Sequence, residues 1–221
     1  MQHGVHSRTV RRIAMPDIKV TTWNIEHFGK LLAATDGASA VRKDAITRTI
    51  RRVDPDILCV VEGPGDLRLL QDYAANDLNG DYVVPLIDGT TAILDTNPAD
   101  VRHALADLYA MRGTTTTGNQ WIWFLVRSSL AAAAETCEMQ PPAVWQSFVG
   151  SSSWKVHYWG DMSTTTHRHW RHPQVLLLDL DGARTEFIGV HLKSKINRTS
   201  PRDEAGELRR EYRNSFNSPI R

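Results

Sequence analysis

Cysteine is scarce: Cys59 and Cys137 are the only two in 221 residues, too few for a disulfide framework and without the spacing of a zinc or redox motif. Cys59 stands inside an apolar run, where a small thiol packs well. Long hydrophobic runs are also lacking, and none approaches the roughly 20 residues that a membrane-spanning helix needs. Neither sign of charge is in excess. Lys and Arg number 26 against 25 Asp and Glu, for a formal net charge of +1. That balance argues against binding nucleic acid by bulk electrostatics, while leaving room for a local basic groove. Met1 to Arg12 carries basic residues and histidines with no apolar stretch behind them, so no secretion signal is expected and the cytoplasm is the default compartment. There is no internal repeat.

Hydrophobic residues at 41% and charged residues at 23% give the balance of a globular protein. Residues 1–16 are expected to form a disordered arm ahead of one domain over 17–221. Ile18 to Trp23 and Asp56 to Val61 read as buried strands, the first ended by Asn24 and the second by Glu62 and the breaker Gly63-Pro64-Gly65. Between them Val41, Ala45, Ile46, Ile50 and Val53 recur at helical spacing, with arginines and Lys43 on the other face. Further helices are expected over Leu67 to Asp77, from Pro98 to about Met111, and over Arg202 to Tyr212, and further strands over Tyr82 to Ile87 and Gln120 to Arg127. Val175 to Leu180 and Glu186 to Leu192 flank Asp181-Gly182, the signature of a tight hairpin. The Ala-rich 128–140 stretch and the Ser, Thr, Trp and His mixture of 151–172 show no clear period.

Polar residues close several of these runs: Asn24 and Glu26, then Glu62, then His191 with Lys193 and Ser194. A lone carboxylate in such a place is usually a solvated loop residue. Three polar strand ends together point instead to groups held on a rigid support.

Thr22-Trp23-Asn24-Ile25-Glu26 and the run from Asp56 to Glu62 resemble the first two motifs of the endonuclease/exonuclease/phosphatase superfamily, with Val61 where that family usually has glutamine. Arg171-His172-Pro173 is similar to its Arg-x-Pro element, and Gly189-Val190-His191-Leu192-Lys193-Ser194 to its His-Leu-Lys-Ser strand. The resemblance implies a mixed α/β fold: a DNase I-like, four-layer sandwich of two sheets flanked by helices. It also implies a hydrolase of phosphate esters using Mg²⁺ or Mn²⁺. In that reading Glu62, Asn24 and Glu26 hold the metal, His191 is catalytic, and Arg171, Lys193 and Ser194 face the phosphate. Nucleic acid is slightly favoured over other phosphate esters as the substrate, and no membrane partner is expected.

The chemistry agrees with those residue types. A phosphodiester is anionic and resists hydroxide, so its hydrolysis needs charge neutralisation and an activated water. Carboxylate and amide oxygens suit Mg²⁺, which keeps several waters and needs only one or two protein carboxylates. Imidazole, with an ordinary pKa of about 6.5, moves protons near neutrality. Arginine offers phosphate a planar fork, whereas lysine offers a point charge. His157, His167, His169 and His172 lie close in sequence, but no second Cys or His cluster accompanies them, so a zinc site is not expected. Trp121 and Trp123, two apart on a strand, are expected to pack on one face rather than to stack on bases.

The superfamily continues past its His-Leu-Lys-Ser strand to Gly-Asp-x-Asn and Ser-Asp-His motifs, neither of which follows here before Arg221. The chain therefore reads as a C-terminally incomplete member with weak or no activity alone. The alternatives are a non-catalytic remnant or binding module that keeps the scaffold, and a partner chain that supplies the missing strands.

Overall fold

The computed structural model describes residues 17–109, 120–141, 153–157, 164–168 and 173–191. The expected arm over 1–16 and helix over 202–212 lie outside the described residues.

The chain opens with strand β1 (Val20–Asn24), the short helix α1 (Phe28–Ala33), helix α2 (Gly37–Val53) and strand β2 (Ile57–Gly63). β1 and β2 pair in parallel, Val20 opposite Ile57 and Asn24 opposite Val61. A parallel pair needs a long crossover, and α2 supplies it. The Asp36 carboxylate caps its start, accepting from the Ser39 N–H at 3.0 Å, and Asp54 ends it in the left-handed conformation at φ 50°. Ile46, Thr47 and Ile50 form its buried stripe, whereas Val41, Ala45 and Val53, expected on the same apolar face, are exposed.

Helix α3 (Leu67–Asp72) continues through a π turn to Asp77, then strand β3 (Tyr82–Val83), helix α4 (Thr90–Leu94) and helix α5 (Pro98–Leu108) follow. The strand expected to reach Ile87 stops at Val83, because Pro85 has no N–H to give a ladder and biases the residue before it. Strand β4 (Trp121–Arg127) runs antiparallel to both β2 and β3, giving one sheet in the order β1-β2-β4-β3. The Ala-rich stretch resolves into helix α6 (Ser128–Ala133) and strand β5 (Thr136–Met139). Ser153–His157 (β6) and Thr164–Arg168 (β7) pair antiparallel as a separate two-stranded sheet.

Strands β8 (Gln174–Leu180) and β9 (Ala183–Gly189) complete a second sheet in the order β5-β8-β9. Asp181 and Gly182 join them with φ 52° and 76°, the two positive values of a primed hairpin turn. β9 begins directly after the turn and ends at Gly189, earlier at both ends than its apolar run suggested.

Met139, Leu176, Leu178 and Leu180 of this sheet share one buried cluster with Cys59, Ile122 and Phe124 of the first. The sheets meet closely at Gly189, where an added Cβ would stand 2.8 Å from Ile122 Cγ2 and 2.9 Å from Cys59 Sγ. On the opposite face of the first sheet, Trp121 and Trp123 stack at 5.5 Å, and Tyr109 packs edge-on against Trp123 at 5.0 Å. The two tryptophans therefore share a face, and both are buried. Each large apolar side chain so buried contributes on the order of 1.5–3 kcal/mol.

The far end of β2 is tied by charge. Arg127 donates from Nε to Asp56 Oδ1 at 3.0 Å and also reaches Asp54 and the Pro55 carbonyl, with its guanidinium 5.4 Å from the Tyr82 ring centre. Among the described residues no helix is long and apolar enough to cross a membrane.

Candidate active site

The other end of β2 carries Glu62. Register places Cys59 beside Thr22 of β1 and opposite Phe124 of β4. A hydrogen bond from Thr22 meets the Cys59 thiol, whose pKa burial pushes up to about 11. These residues, and Asn24 by alternation, belong to the face turned toward Gly189. An unbroken pleat would put Glu62 on the opposite face, with Val60 and Trp123.

The ladder slips by one residue between Val60 and Gly63, and Glu62 itself adopts φ 64°. This β-bulge turns the carboxylate back toward Asn24 and the end of β9. Left-handed backbone is uncommon for a residue with a Cβ and costs on the order of 1–2 kcal/mol. Trp123 braces the turn from behind by donating from Nε1 to the Pro64 carbonyl at 2.8 Å.

Among the described residues, four groups from Asn24, His27 and His191 surround the Glu62 carboxylate. Asn24 Nδ2 donates to Oε1 at 3.3 Å, and the His27 backbone N–H donates to Oε2 at 3.2 Å. His191 Nε2 lies 3.7 Å from Oε1 and His27 Nδ1 lies 4.0 Å from Oε2. The Glu62 and His191 side chains are 13% and 8% exposed, while that of His27 is 48% exposed.

Close packing of glycine brings the parts together. Gly189, against Cys59 and Ile122, delivers His191 two residues later. Gly29 lets α1 lie on Pro64, where an added Cβ would stand 2.7 Å from its Cα, and so delivers His27 two residues earlier.

Of the residues singled out in the sequence, Glu62, Asn24 and His191 are thus brought together. Glu26 is exposed on the turn after β1, and its backbone carbonyl accepts from Arg42 at 2.8 Å. Among the described residues no hydrogen bond or ion pair joins its carboxylate to Glu62. Arg171, Lys193 and Ser194 lie outside the described residues, as do His169 and His172. His157 and His167 fall on the β6–β7 hairpin, His157 opposite Thr164 and His167 opposite Trp154. Asp56, which opens the second motif, is about 20 Å along the strand from Glu62 and serves the Arg127 network instead.

His27 is the residue that sequence reading passed over. Its only signal was a position directly after the Asn-Ile-Glu segment, and what places it is the left-handed turn at φ 55° that opens α1.

The donor set admits a divalent cation in part. Glu62 is a largely buried carboxylate whose described partners are an amide, a backbone N–H and two imidazoles, with no lysine or arginine among them. Buried charges are ordinarily paired or bound to metal. A half-hydrated Mg²⁺ needs only one or two protein carboxylates, and an amide flip gives it the Asn24 oxygen. Among the described residues no group of three or more His, Cys, Asp or Glu is placed to hold a metal.

The chain matches no family model and no curated protein. Among solved structures it is similar to a truncated TDP2 from Caenorhabditis elegans, with a TM-score of 0.37 and 15% identity over 92% of this chain and 57% of that one. It is also similar to TDP2 from C. elegans, with a TM-score of 0.36 and 15% identity over 92% of this chain and 44% of that one. The chain thus spans less than two thirds of either protein, and TM-scores this low carry no weight for function.

Proposed function

We infer that this chain is a divalent-metal-dependent phosphate-ester hydrolase domain of the endonuclease/exonuclease/phosphatase superfamily. Its two packed sheets with helices on the outer face of the first are the corresponding part of a four-layer sandwich. One observation carries the reading: Glu62, held in a left-handed bulge, meets Asn24 from the first motif and His191 from the last. Non-glycine residues persist in such conformations where the surroundings enforce them, and these cluster at functional sites.

Glu62 and Asn24 would hold Mg²⁺ or Mn²⁺, with Glu26 reaching it by rotation of its exposed side chain. The ion supplies charge neutralisation at the phosphate oxygens. The His27 N–H fixes the orientation of the Glu62 carboxylate. His191, nearly buried, gives a proton to the substrate oxygen or orients it, an effect typically worth roughly 10²–10⁴-fold. Arg171, Lys193 and Ser194 are assigned to the phosphate on the motif resemblance alone. Nucleic acid is the favoured substrate class, and the absence of basic excess leaves other phosphate esters open.

The test is hydrolysis of bis-p-nitrophenyl phosphate and plasmid DNA with Mg²⁺ or Mn²⁺, comparing the wild type with Glu62→Gln and His191→Ala. Activity lost in both variants supports the assignment. A folded wild type without activity supports instead a non-catalytic scaffold.

A further inference from the structure

Both residues that hold the site's left-handed backbone, His27 and Glu62, are hydrogen-bonded to each other, yet only the Glu62 side chain has a role in the reading above. The main chain of His27 orients Glu62, which any residue could do, and glycine or asparagine would do at less backbone cost. Its imidazole therefore calls for a separate explanation.

The ring is placed for contact with a ligand. Nδ1 is turned toward Glu62 Oε2 at 4.0 Å, too far for a hydrogen bond, so Nε2 faces away from the carboxylate. Among the described residues beside Glu62, His191 is 8% exposed, whereas His27 is 48% exposed and Asn24 is exposed too. Gly29 fixes α1 against Pro64, so the ring stands on a rigid support.

We propose that His27 is a substrate-binding residue of this site, donating a hydrogen bond from its imidazole to a non-bridging phosphate oxygen. This rests on the phosphate-ester reading and adds a residue to it. The interaction is a charge-assisted hydrogen bond at a half-open position, and losing one weakens binding by about tenfold or more.

The experiment uses the full chain with Mg²⁺ present and two substitutions. His27→Gly removes the ring and suits φ 55°, so the backbone is not penalised. His27→Asn also tolerates that conformation and keeps a donor. Binding of inorganic phosphate is measured by calorimetry, KM and kcat for bis-p-nitrophenyl phosphate by steady-state assay, and folding by thermal melts. The expected result is about tenfold weaker phosphate binding and a raised KM in His27→Gly, partial recovery in His27→Asn, and unchanged melting. Phosphate binding within twofold of wild type in His27→Gly overturns the proposal, as does a wild type that binds no phosphate. Phosphate binding that depends on His27 without any hydrolysis overturns the hydrolase reading and leaves this assignment standing.

Discussion

Adding one methyl group at Gly189 tests whether the sheets meet where the site requires them to. The backbone of Gly189 is not in the left-handed region, so the penalty of Gly189→Ala is steric rather than conformational. The new Cβ would stand 2.8 Å from Ile122 Cγ2, 2.9 Å from Cys59 Sγ and 3.2 Å from Phe124 Cζ. Ordinary carbon contacts lie at about 3.5–4.0 Å, so β9 must retreat by something near 1 Å or its neighbours must leave their rotamers. Overpacking of this kind costs about 1–3 kcal/mol, which for a chain of this size lowers Tm by roughly 2–12 °C. The retreat also draws His191 from Glu62, so hydrolysis should fall by more than the population of unfolded chain explains. Thermal and urea melts of wild type, Gly189→Ala, Ile122→Ala and the double variant form the assay. Truncating Ile122 makes room, so the double variant should be at least about 1 kcal/mol more stable than the sum of the single changes implies. Additive changes, or a Gly189→Ala protein within about 0.5 kcal/mol of wild type, would refute the close approach.

Other perturbations separate the forces at work. Glu62→Gly relieves the strained φ that Glu62→Ala retains, so it should be the more stable of the two by about 1 kcal/mol in urea titration while both lose hydrolysis; equal stability would count against a strained bulge. The Asp36 pKa is lowered from 3.8, first by the Ser39 hydroxyl and then by the Ser39 N–H. A depressed carboxylate stabilises the fold above its unfolded pKa and stops doing so as pH falls through the folded one. The stability gap between wild type and Asp36→Ala should therefore be full at pH 5 and shrink toward pH 3, and a gap that does not change with pH refutes the cap. Burial raises the Cys59 and Cys137 thiols to about 11 each. Ellman's reagent at pH 8 should therefore react slowly with the native chain and readily after guanidinium; fast native labelling would show the sheet contact to be open.

Long apolar runs made much of this fold legible. β2, β4 and β8 are buried runs of seven residues, whereas β1, also read as buried, is an edge strand of alternating exposed and half-buried residues; the Asp181-Gly182 turn follows from two residues that tolerate positive φ. Helices α1, α4 and α6, of six, five and six residues, are too short to show a helical period. β5 is four residues held by its pairing with β8, a tertiary fact that Thr136–Met139 does not announce. In the site, Glu62 and His191 were visible as polar ends of apolar runs. The bulge that turns Glu62 to the correct face was not, because it arises from the register between β2 and β4. Nor was His27, whose position depends on Gly29 meeting Pro64.

The parallel pairing of β1 with β2 through α2 bears on the order in which the site is assembled. Asn24, His27 and Glu62 come from one contiguous β-α-β segment whose contacts close over short loops, whereas His191 arrives only when the second sheet, encoded far later, docks at Gly189. Loop closure favours the local unit first. During refolding the carboxylate should therefore be in place, with its amide and backbone partners, before its buried imidazole, so ion binding precedes any capacity for proton transfer. Stopped-flow refolding with Mn²⁺ as a probe would show ion binding and hydrolytic capacity appearing together if the two sheets form in one step.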